Sequence, residues 1–248
     1  MRYRLTLSYD GASYVGWQVQ QETNSIQSLV QKALITALRH PLDLTGAGRT
    51  DAGVHALGQT AHFDTESPII ETKLLLSLNA LLPSDIRVLK IEPVEESFHA
   101  RYSAIGKVYH YHVHLDRILN PFTAKYRYHL LESIDINLLK PAASQFLGTK
   151  NFISFANENY KGSAAKDPIR TLKRFDVCFE PGGVRFELEA DGFLYRMVRN
   201  LIGTILEVAK GKIAINDIEK IFDAKDRTKA GPSAPAQGLF LVKVIYEN

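Results

Sequence analysis

Residues able to do chemistry are concentrated in one glycine-rich segment. Gly46, Gly48 and Gly53 surround Arg49 and Asp51 in the run GAGRTDAGVHA. Glycine lets the backbone adopt conformations closed to other residues and lets a ligand approach closely. A nearby guanidinium keeps a carboxylate ionised, which suits a nucleophile or a base rather than a proton donor. We therefore predict a functional carboxylate at Asp51, with an ordinary Asp–Gly turn as the alternative.

The same segment lacks the features of other glycine-rich sites. No Lys-Ser or Lys-Thr pair follows the glycines, as a phosphate-binding loop requires. The glycine spacing also differs from that of a dinucleotide-binding fingerprint. A glycoside hydrolase uses two facing carboxylates, whereas this segment carries one acid. A distant second acid such as Asp191 stays open on the sequence.

Composition places the chain among ordinary globular proteins. Of its 248 residues, 45% are hydrophobic and 23% are charged, and no run has the length of a membrane-spanning helix. The single cysteine, Cys178, excludes an internal disulfide and a cysteine metal cluster. It favours a reducing, cytoplasmic location. The net charge of +3 is compatible with a polyanionic partner.

Periodic patterns around the segment predict the elements that position it. Alternation from Tyr3 to Tyr9 predicts a strand, and the three-and-four spacing from Ile26 to Leu38 predicts a helix. Asn24 is the predicted N-cap of that helix, with Gln27 placed for a capping box. The other predicted elements of this half are a short strand that starts at Leu42–Leu44, a strand over Gln59–Asp64, a helix over Ile70–Leu81 and a strand over Arg87–Ile91.

The second half repeats this mixture of strands and helices. Its predicted elements are a strand over Ala104–Leu115, helices over Ile136–Leu147 and Leu194–Lys210, a hairpin of Leu172–Glu180 with Val184–Ala190, a helix capped by Asn216, and a strand over Gly238–Tyr246. The pattern predicts an α+β fold of two RNA-recognition-like halves, residues 1–103 and 104–248. We expect a mainly antiparallel central sheet and a cleft between the halves.

Five segments in order along the chain resemble the tRNA pseudouridine synthases of type A, the TruA family. The run GRTDAGVHA matches that family's signature, and Ser233 stands where threonine is usual in its C-terminal motif. The other matching segments are Tyr9–Gly11 with Gly16–Gln18, Phe98–Ala104 with Lys107–Tyr111, Phe193–Asn200, and Ala230–Leu239. The resemblance covers nearly the whole chain and implies the pseudouridine synthase fold.

The resemblance also implies a reaction and its partners. The family isomerises uridine to pseudouridine in the anticodon stem-loop of tRNA, at positions 38, 39 and 40, and its members act as homodimers. The base moves from an N1 to a C5 linkage without redox change or hydrolysis, so no cofactor and no metal is expected. Asp51 is then the catalytic carboxylate. Whether it attacks C6, attacks C1′ or removes a sugar proton stays open.

Two further side chains are expected to assist Asp51. Tyr109 corresponds to the family's active-site tyrosine, and an aromatic ring can stack on an extruded base. Tyr111 shares the same strand face, so geometry alone leaves either tyrosine open. Arg199 is the favoured partner of Asp51. Arg49 is the alternative, or it binds phosphate and helps to evert the nucleotide.

The remaining polar residues are weaker candidates. His110, His112 and His114 alternate on one strand, which more often makes a polar sheet face than a metal site. His55 is expected to order the loop. The main alternative function is a non-catalytic tRNA-binding module or RNA chaperone, although a negative charge at Asp51 would repel phosphate. The candidate phosphate contacts are Arg101, Lys107, Lys161, Lys166, Arg170 and Arg174.

Overall fold

The chain divides into two units, which are described separately. Unit one comprises Met1–Ile105 and Phe240–Asn248, and unit two comprises Gly106–Leu239. The computed structural model describes residues 1–19, 24–157 and 167–247. Within those residues, no helix combines the length and the apolar character needed to cross a bilayer.

Ten strands and five α-helices are assigned in the described ranges. The strands are β1 (Arg2–Tyr9), β2 (Thr45–Gly46), β3 (His55–Asp64), β4 (Ile86–Val94), β5 (Ala104–His114), β6 (Tyr128–His129), β7 (Gly148–Asn151), β8 (Ile169–Glu180), β9 (Gly183–Ala190) and β10 (Leu239–Tyr246). The helices are α1 (Ile26–Leu38), α2 (Glu71–Leu81), α3 (Leu139–Ser144), α4 (Met197–Ala209) and α5 (Asp217–Ala224). The α+β class predicted from the sequence is confirmed.

Strand β1 is the centre of the sheet in unit one. It pairs antiparallel with β3 on one side and with β4 on the other, and β10 joins the far edge of β3 in parallel. Every second residue of β1 is buried, from Tyr3 to Tyr9, as the alternation predicts. Strand β3 begins at His55, four residues before the predicted start at Gln59. The predicted strand from Leu42 is instead the short β2.

The first helix begins at a cap that the sequence did not identify. Ser25 is the N-cap of α1, and its side chain accepts a hydrogen bond from the backbone N–H of Ser28. The predicted cap at Asn24 and its capping box are therefore wrong. The first helical amides already donate to Gly16 and Trp17 carbonyls in a preceding loop. Because the side-chain oxygen of Gln27 accepts from the Val19 N–H, it does not close a box.

Unit two is built on the antiparallel order β5-β9-β8-β7, with β6 parallel to β5. Its core includes the buried rings of Phe146, Phe152 and Phe155, which contact Phe222 of α5.

Two helices of unit two are shorter than predicted. The segment predicted as one helix from Ile136 to Leu147 is a 3₁₀ turn followed by α3, which ends at Ser144. The chain then turns through Gly148, whose positive φ of 96° leads into β7. Helix α4 begins at Met197 rather than Leu194, because Arg196 has a left-handed φ of 59°. Predicted helix boundaries fail where one residue leaves helical geometry.

A buried histidine makes the stability of unit one depend on pH. Burial, aided by Arg2, lowers the pKa of His62 from 6.5 to about 4, and the Nδ1 atom accepts a hydrogen bond from the Ala100 N–H. Below pH 6.5 the unfolded chain binds a proton that the folded chain refuses, so the free energy of unfolding falls until about pH 4. We expect a lower melting temperature at pH 5 than at pH 7.

The variant His62→Asn tests this source of pH dependence. Asparagine keeps an acceptor for the Ala100 amide but does not titrate, so the melting temperature should fall less between pH 7 and pH 5. His112 of unit two also has a pKa lowered to about 4 by burial, so combining His112→Asn with His62→Asn should flatten the profile further. An unchanged profile in both variants would contradict the assignment.

Candidate functional site

The glycine-rich segment forms a loop of unit one between β2 and β3. Residues Asp51 to Val54 make a turn, in which the Val54 N–H donates to the Asp51 carbonyl over 3.1 Å. Gly53 has a φ of 78°, as the third residue of a type II turn requires. The side chain of Asp51 is half-buried. The turn alternative therefore describes the local backbone correctly, and it does not by itself exclude a functional role.

A second loop supports the backbone of the segment at Thr50. The Trp17 N–H donates to the Thr50 carbonyl over 3.1 Å. Gly16 has a φ of 100°, and a Cβ placed there would lie 2.4 Å from the Thr50 carbonyl oxygen and 3.0 Å from the Asp51 carbonyl carbon. Only a residue without a side chain fits against the loop at this point. The Gly16–Gln18 motif thus fixes the position of the residue that precedes Asp51.

Polar side chains lie beneath the loop. The hydroxyl of Tyr9, at the end of β1, is 2.9 Å from the Thr50 hydroxyl. The side-chain amide of Gln59, on β3, donates to the Gly48 carbonyl over 3.0 Å. Burial raises the pKa of Tyr9 to about 12, which keeps its phenol protonated and able to donate. These contacts connect the loop with β1 and β3.

His55 fastens the far end of the loop. Its ring is buried and stacks on Phe240 with centroids 4.6 Å apart. Its Nδ1 atom lies 3.1 Å from the Gly11 amide nitrogen and 3.0 Å from the Asp10 carboxylate. Without a proton, Nδ1 accepts a hydrogen bond from the Gly11 N–H. With a proton, it donates to the Asp10 carboxylate, so only one of the two bonds forms at a time. Either bond joins the end of β1 to the start of β3.

Arg49 lies on the exposed side of the loop. Its guanidinium Nε donates to the side-chain oxygen of Gln18 over 3.2 Å. The side chain is solvent-exposed, as a group that meets phosphate would be. Whether Arg49 or Arg199 pairs with Asp51 stays a prediction.

The two tyrosines of β5 in unit two differ in their surroundings. Tyr111 is 0% exposed, and its hydroxyl donates to the Pro235 carbonyl over 2.8 Å. Burial raises the pKa of Tyr111 well above its usual value. Tyr109 is 8% exposed. Its ring packs edge-to-face against the ring of Phe193, with the ring centroids 5.0 Å apart. Tyr111 is thus a core residue whose hydroxyl is hydrogen-bonded within unit two, and the role of Tyr109 stays a prediction.

Arg199 projects from α4 and holds the C-terminal motif. Its Nε donates to the Ala234 carbonyl over 2.7 Å, and the Ala234 N–H donates back to the Arg199 carbonyl over 3.0 Å. Arg196 was expected on the same helix, but it lies before the first helical residue, with its guanidinium over the ring of Tyr195. The two arginines therefore do not share one helical face.

Asn200 is a residue whose importance the sequence did not reveal. It is buried, and its amide nitrogen donates to the Phe155 carbonyl over 2.7 Å and to the Asn157 side chain over 2.9 Å. Its side-chain oxygen accepts from Arg227 over 2.9 Å and from the hydroxyl of Ser233. The hydroxyl of Ser233 is the group that a threonine there would also supply. The available signal was the position of Asn200 at the end of the third motif.

Two glycines allow the C-terminal motif to lie directly on α4. A Cβ at Gly203 would lie 1.6 Å from the Pro232 carbonyl oxygen. One at Gly231 would lie 2.7 Å from the Cα of Thr204, whose hydroxyl accepts from the Gly231 N–H over 3.0 Å. The backbones approach too closely for any side chain to stand between them.

Other predicted residues have ordinary structural partners. His110 faces Glu187 and His112 faces Glu180, while His114 hydrogen-bonds the Ile118 carbonyl. No group of three or more potential metal ligands occurs in the described ranges.

Most of the acidic and basic candidates also have structural partners. The Asp191 carboxylate accepts from the Thr171 amide. Among the basic candidates, Arg101 lies over the ring of Tyr102, and Arg174 and Arg170 form ion pairs with Glu187 and Asp167. Lys161 and Lys166 lie outside the described residues.

Comparison with known proteins shows that the chain is similar to members of one family along most of its length. A family described as tRNA pseudouridine synthase matches residues 6–103 and 142–247. A tRNA pseudouridine synthase A 1 of Protochlamydia amoebophila is 52% identical over 247 residues, covering 99% of this chain and 96% of that protein. A tRNA pseudouridine synthase A of Bacillus licheniformis is 42% identical and fully covers both chains. One of Thermodesulfovibrio yellowstonii is 40% identical, with 98% of each chain covered.

Proposed function

The chain belongs to the tRNA pseudouridine synthase family, and on this premise we propose that Asp51 is its catalytic carboxylate and that its targets are uridines 38, 39 and 40 of the anticodon stem-loop. The enzyme is an isomerase that forms pseudouridine from uridine in tRNA. The observation that carries the proposal for Asp51 is its place in a loop held from several directions by unit one. A reacting group has to be held in one geometry to be effective.

The chemistry of the isomerisation fits a single ionised carboxylate. The bond from C1′ to N1 breaks, C1′ joins C5, the proton on C5 is released and N1 takes one up. Nothing is oxidised or hydrolysed, so the reaction balances without a co-reactant. Attack at C6, attack at C1′ and removal of a sugar proton all require Asp51 to be deprotonated.

We assign supporting roles to three further residues. Tyr109 stacks on the extruded uracil, since it corresponds to the family's active-site tyrosine and is 8% exposed, whereas Tyr111 is 0% exposed. Arg199 is proposed to keep Asp51 charged. Arg49 is proposed to contact the RNA from the exposed side of the loop, where it offsets part of the few kcal/mol that unstacking a base costs.

We propose that the enzyme acts on tRNA as a cytoplasmic homodimer. Three large apolar side chains of the segment that follows β5 in the sequence are exposed, and they are the candidates for contact with the second copy. They are Ile118, Phe122 and Leu131, of which Phe122 is 88% exposed. Sedimentation of the purified protein as a monomer at micromolar concentration would contradict this assignment.

The proposed reaction is tested by mapping pseudouridine in an unmodified tRNA transcript after incubation with the protein. Isomerisation leaves the mass of the RNA unchanged, so the product has to be located by base-specific chemical labelling and primer extension. We expect new pseudouridine at positions 38, 39 and 40 alone. Binding without any pseudouridine would favour the non-catalytic tRNA-binding alternative, and modification at other positions would refute the assigned targets.

The variant Tyr109→Phe separates stacking from hydrogen bonding. The ring stays, so the fold and the stacking surface are kept, but the hydroxyl is lost. We expect turnover to fall about tenfold, the cost of one hydrogen bond between the hydroxyl and the substrate, with the fold retained. Tyr111→Phe is the matched control, because it removes the bond to Pro235 and should lower the melting temperature instead. Equal turnover in Tyr109→Phe and the wild type would exclude a role for the hydroxyl and leave only the ring, in stacking or packing.

A further inference from the structure

A buried polar side chain lies directly beneath the catalytic loop. Gln59 of β3 is 0% exposed. Its amide nitrogen donates to the Gly48 carbonyl over 3.0 Å and lies 3.5 Å from the Tyr9 hydroxyl, while its oxygen accepts from the Thr60 N–H over 3.1 Å. The Tyr9 hydroxyl in turn lies 2.9 Å from the Thr50 hydroxyl, which extends this series of hydrogen bonds. The two loop contacts fall on either side of Arg49, immediately before Asp51.

Only the bond between Gln59 and Tyr9 has a fixed direction. An amide N–H can only donate, so the Tyr9 oxygen accepts from Gln59, whereas either hydroxyl can donate in the bond between Tyr9 and Thr50. The contact from Gln59 to Tyr9 is at the long end of the range for a hydrogen bond, so the bond from Gln59 to Gly48 is the stronger support. Burial raises the pKa of Tyr9 to about 12, so its phenol stays protonated near neutral pH.

A purely apolar core would serve the stability of unit one equally well. Burying an amide and a phenol has a cost unless each finds partners, so a buried polar chain needs a reason. Here the partners are the carbonyl of Gly48 and the hydroxyl of Thr50, two groups of the loop itself. An aliphatic side chain at position 59 would fill the space and leave the contact with the Gly48 carbonyl unmade.

We propose that Gln59 and Tyr9 are positioning residues that hold the Gly48–Thr50 backbone and thereby aim the carboxylate of Asp51. The proposal rests on the proposed function, because it takes Asp51 as the catalytic carboxylate. Neither residue touches the reacting atoms. Their loss should therefore reduce kcat and leave the KM for tRNA nearly unchanged, since a misplacement of about 1 Å can cost up to about a hundredfold in rate.

Two pairs of variants separate positioning from general stability. Gln59→Leu is compared with Gln31→Leu, because Gln31 also donates to a backbone carbonyl, that of Leu42, but away from the loop. Tyr9→Phe is compared with Tyr3→Phe, because both tyrosines are buried on β1 with hydrogen-bonded hydroxyls. Steady-state kinetics on a tRNA transcript and melting temperature are measured for all four.

We expect kcat to fall about tenfold or more in Gln59→Leu and several-fold in Tyr9→Phe, with KM within about twofold of the wild-type value. The controls should keep the wild-type kcat. A fall in kcat that matches between Gln59→Leu and Gln31→Leu, or no fall in either test variant, would overturn the proposal. If Asp51→Asn also retains turnover, the proposed function itself fails, which is a separate result.

The pH dependence of the activity of Gln59→Glu distinguishes a positioning role of residue 59 from a purely structural one. The introduced carboxyl is buried, so its pKa is raised, and at low pH its O–H replaces the amide as donor to the Gly48 carbonyl. At higher pH the carboxylate faces that carbonyl and repels it. The activity of Gln59→Glu relative to the wild type should therefore fall as pH rises. A ratio that is constant with pH, measured below the melting temperature at each pH, would overturn the proposal.

Discussion

Replacing Asp51 with asparagine is expected to reduce pseudouridine formation by at least about a thousandfold. Asparagine has the same shape and leaves the turn to Val54 intact, because that hydrogen bond uses the backbone carbonyl of residue 51. What is lost is the negative charge, and each proposed first step needs it. The fold and the binding of tRNA should be retained, as judged by melting temperature and by binding of a labelled transcript.

A second aspartate of unit one provides the matched control. Asp43 is exposed and lies before β2, so Asp43→Asn removes the same charge from the surface without touching the loop. It should leave the rate and the binding constant at their wild-type values. If Asp51→Asn and Asp43→Asn are equally active on the same transcript, Asp51 is not the catalytic carboxylate.

The second large effect is expected on stability, from Gly203→Ala in α4. In a helix interior this change normally stabilises by up to about 1 kcal/mol, since alanine has the higher helix propensity. Here the new methyl carbon would lie 1.6 Å from the Pro232 carbonyl oxygen, which is part of the backbone and cannot turn away. We expect the free energy of unfolding to fall by about 3 kcal/mol or more, measured by denaturant titration.

Gly211→Ala distinguishes this clash from a general intolerance of alanine. Gly211 follows α4 with a φ of 72° and has no neighbour near a Cβ position, so only backbone strain of about 1 kcal/mol is expected. Equal losses in the two variants would refute the steric explanation. Gly203→Ala should also lower activity, because the displaced segment carries the Ala234 carbonyl that holds Arg199.

Local patterns were sufficient for the elements whose periodicity is regular. The strand from Tyr3 and the helix ending at Leu81 occur as predicted, because alternation and three-and-four spacing report directly on burial. The helix over Ile26–Leu38 also occurs as predicted, but its N-cap was placed at Asn24 rather than Ser25, because its first amides are satisfied by Gly16 and Trp17 of a preceding loop. The start of α4 depends on the single backbone angle of Arg196, which residue type does not specify.

The candidate site was predicted from the sequence only in part. The glycines and the acid of the loop follow from residue chemistry, and their assignment to a reaction follows from the family resemblance. The supports of the loop were not predicted, since Gly16, Tyr9 and Gln59 reach it from other parts of the chain. Alternation placed Tyr109 and Tyr111 on the same face, and it did not predict that Tyr111 would be the more deeply buried of the two.

The parallel pairing of β10 with β3 has a consequence for synthesis on the ribosome. Phe240 and Leu241 pair with His55 and Ala56, directly after the catalytic loop. A nascent chain that carries the loop and most of unit two still lacks this neighbour of β3. Unit one therefore acquires its complete set of strands only when residues 239–246 have emerged, and an incomplete chain has an unfinished sheet edge next to Asp51.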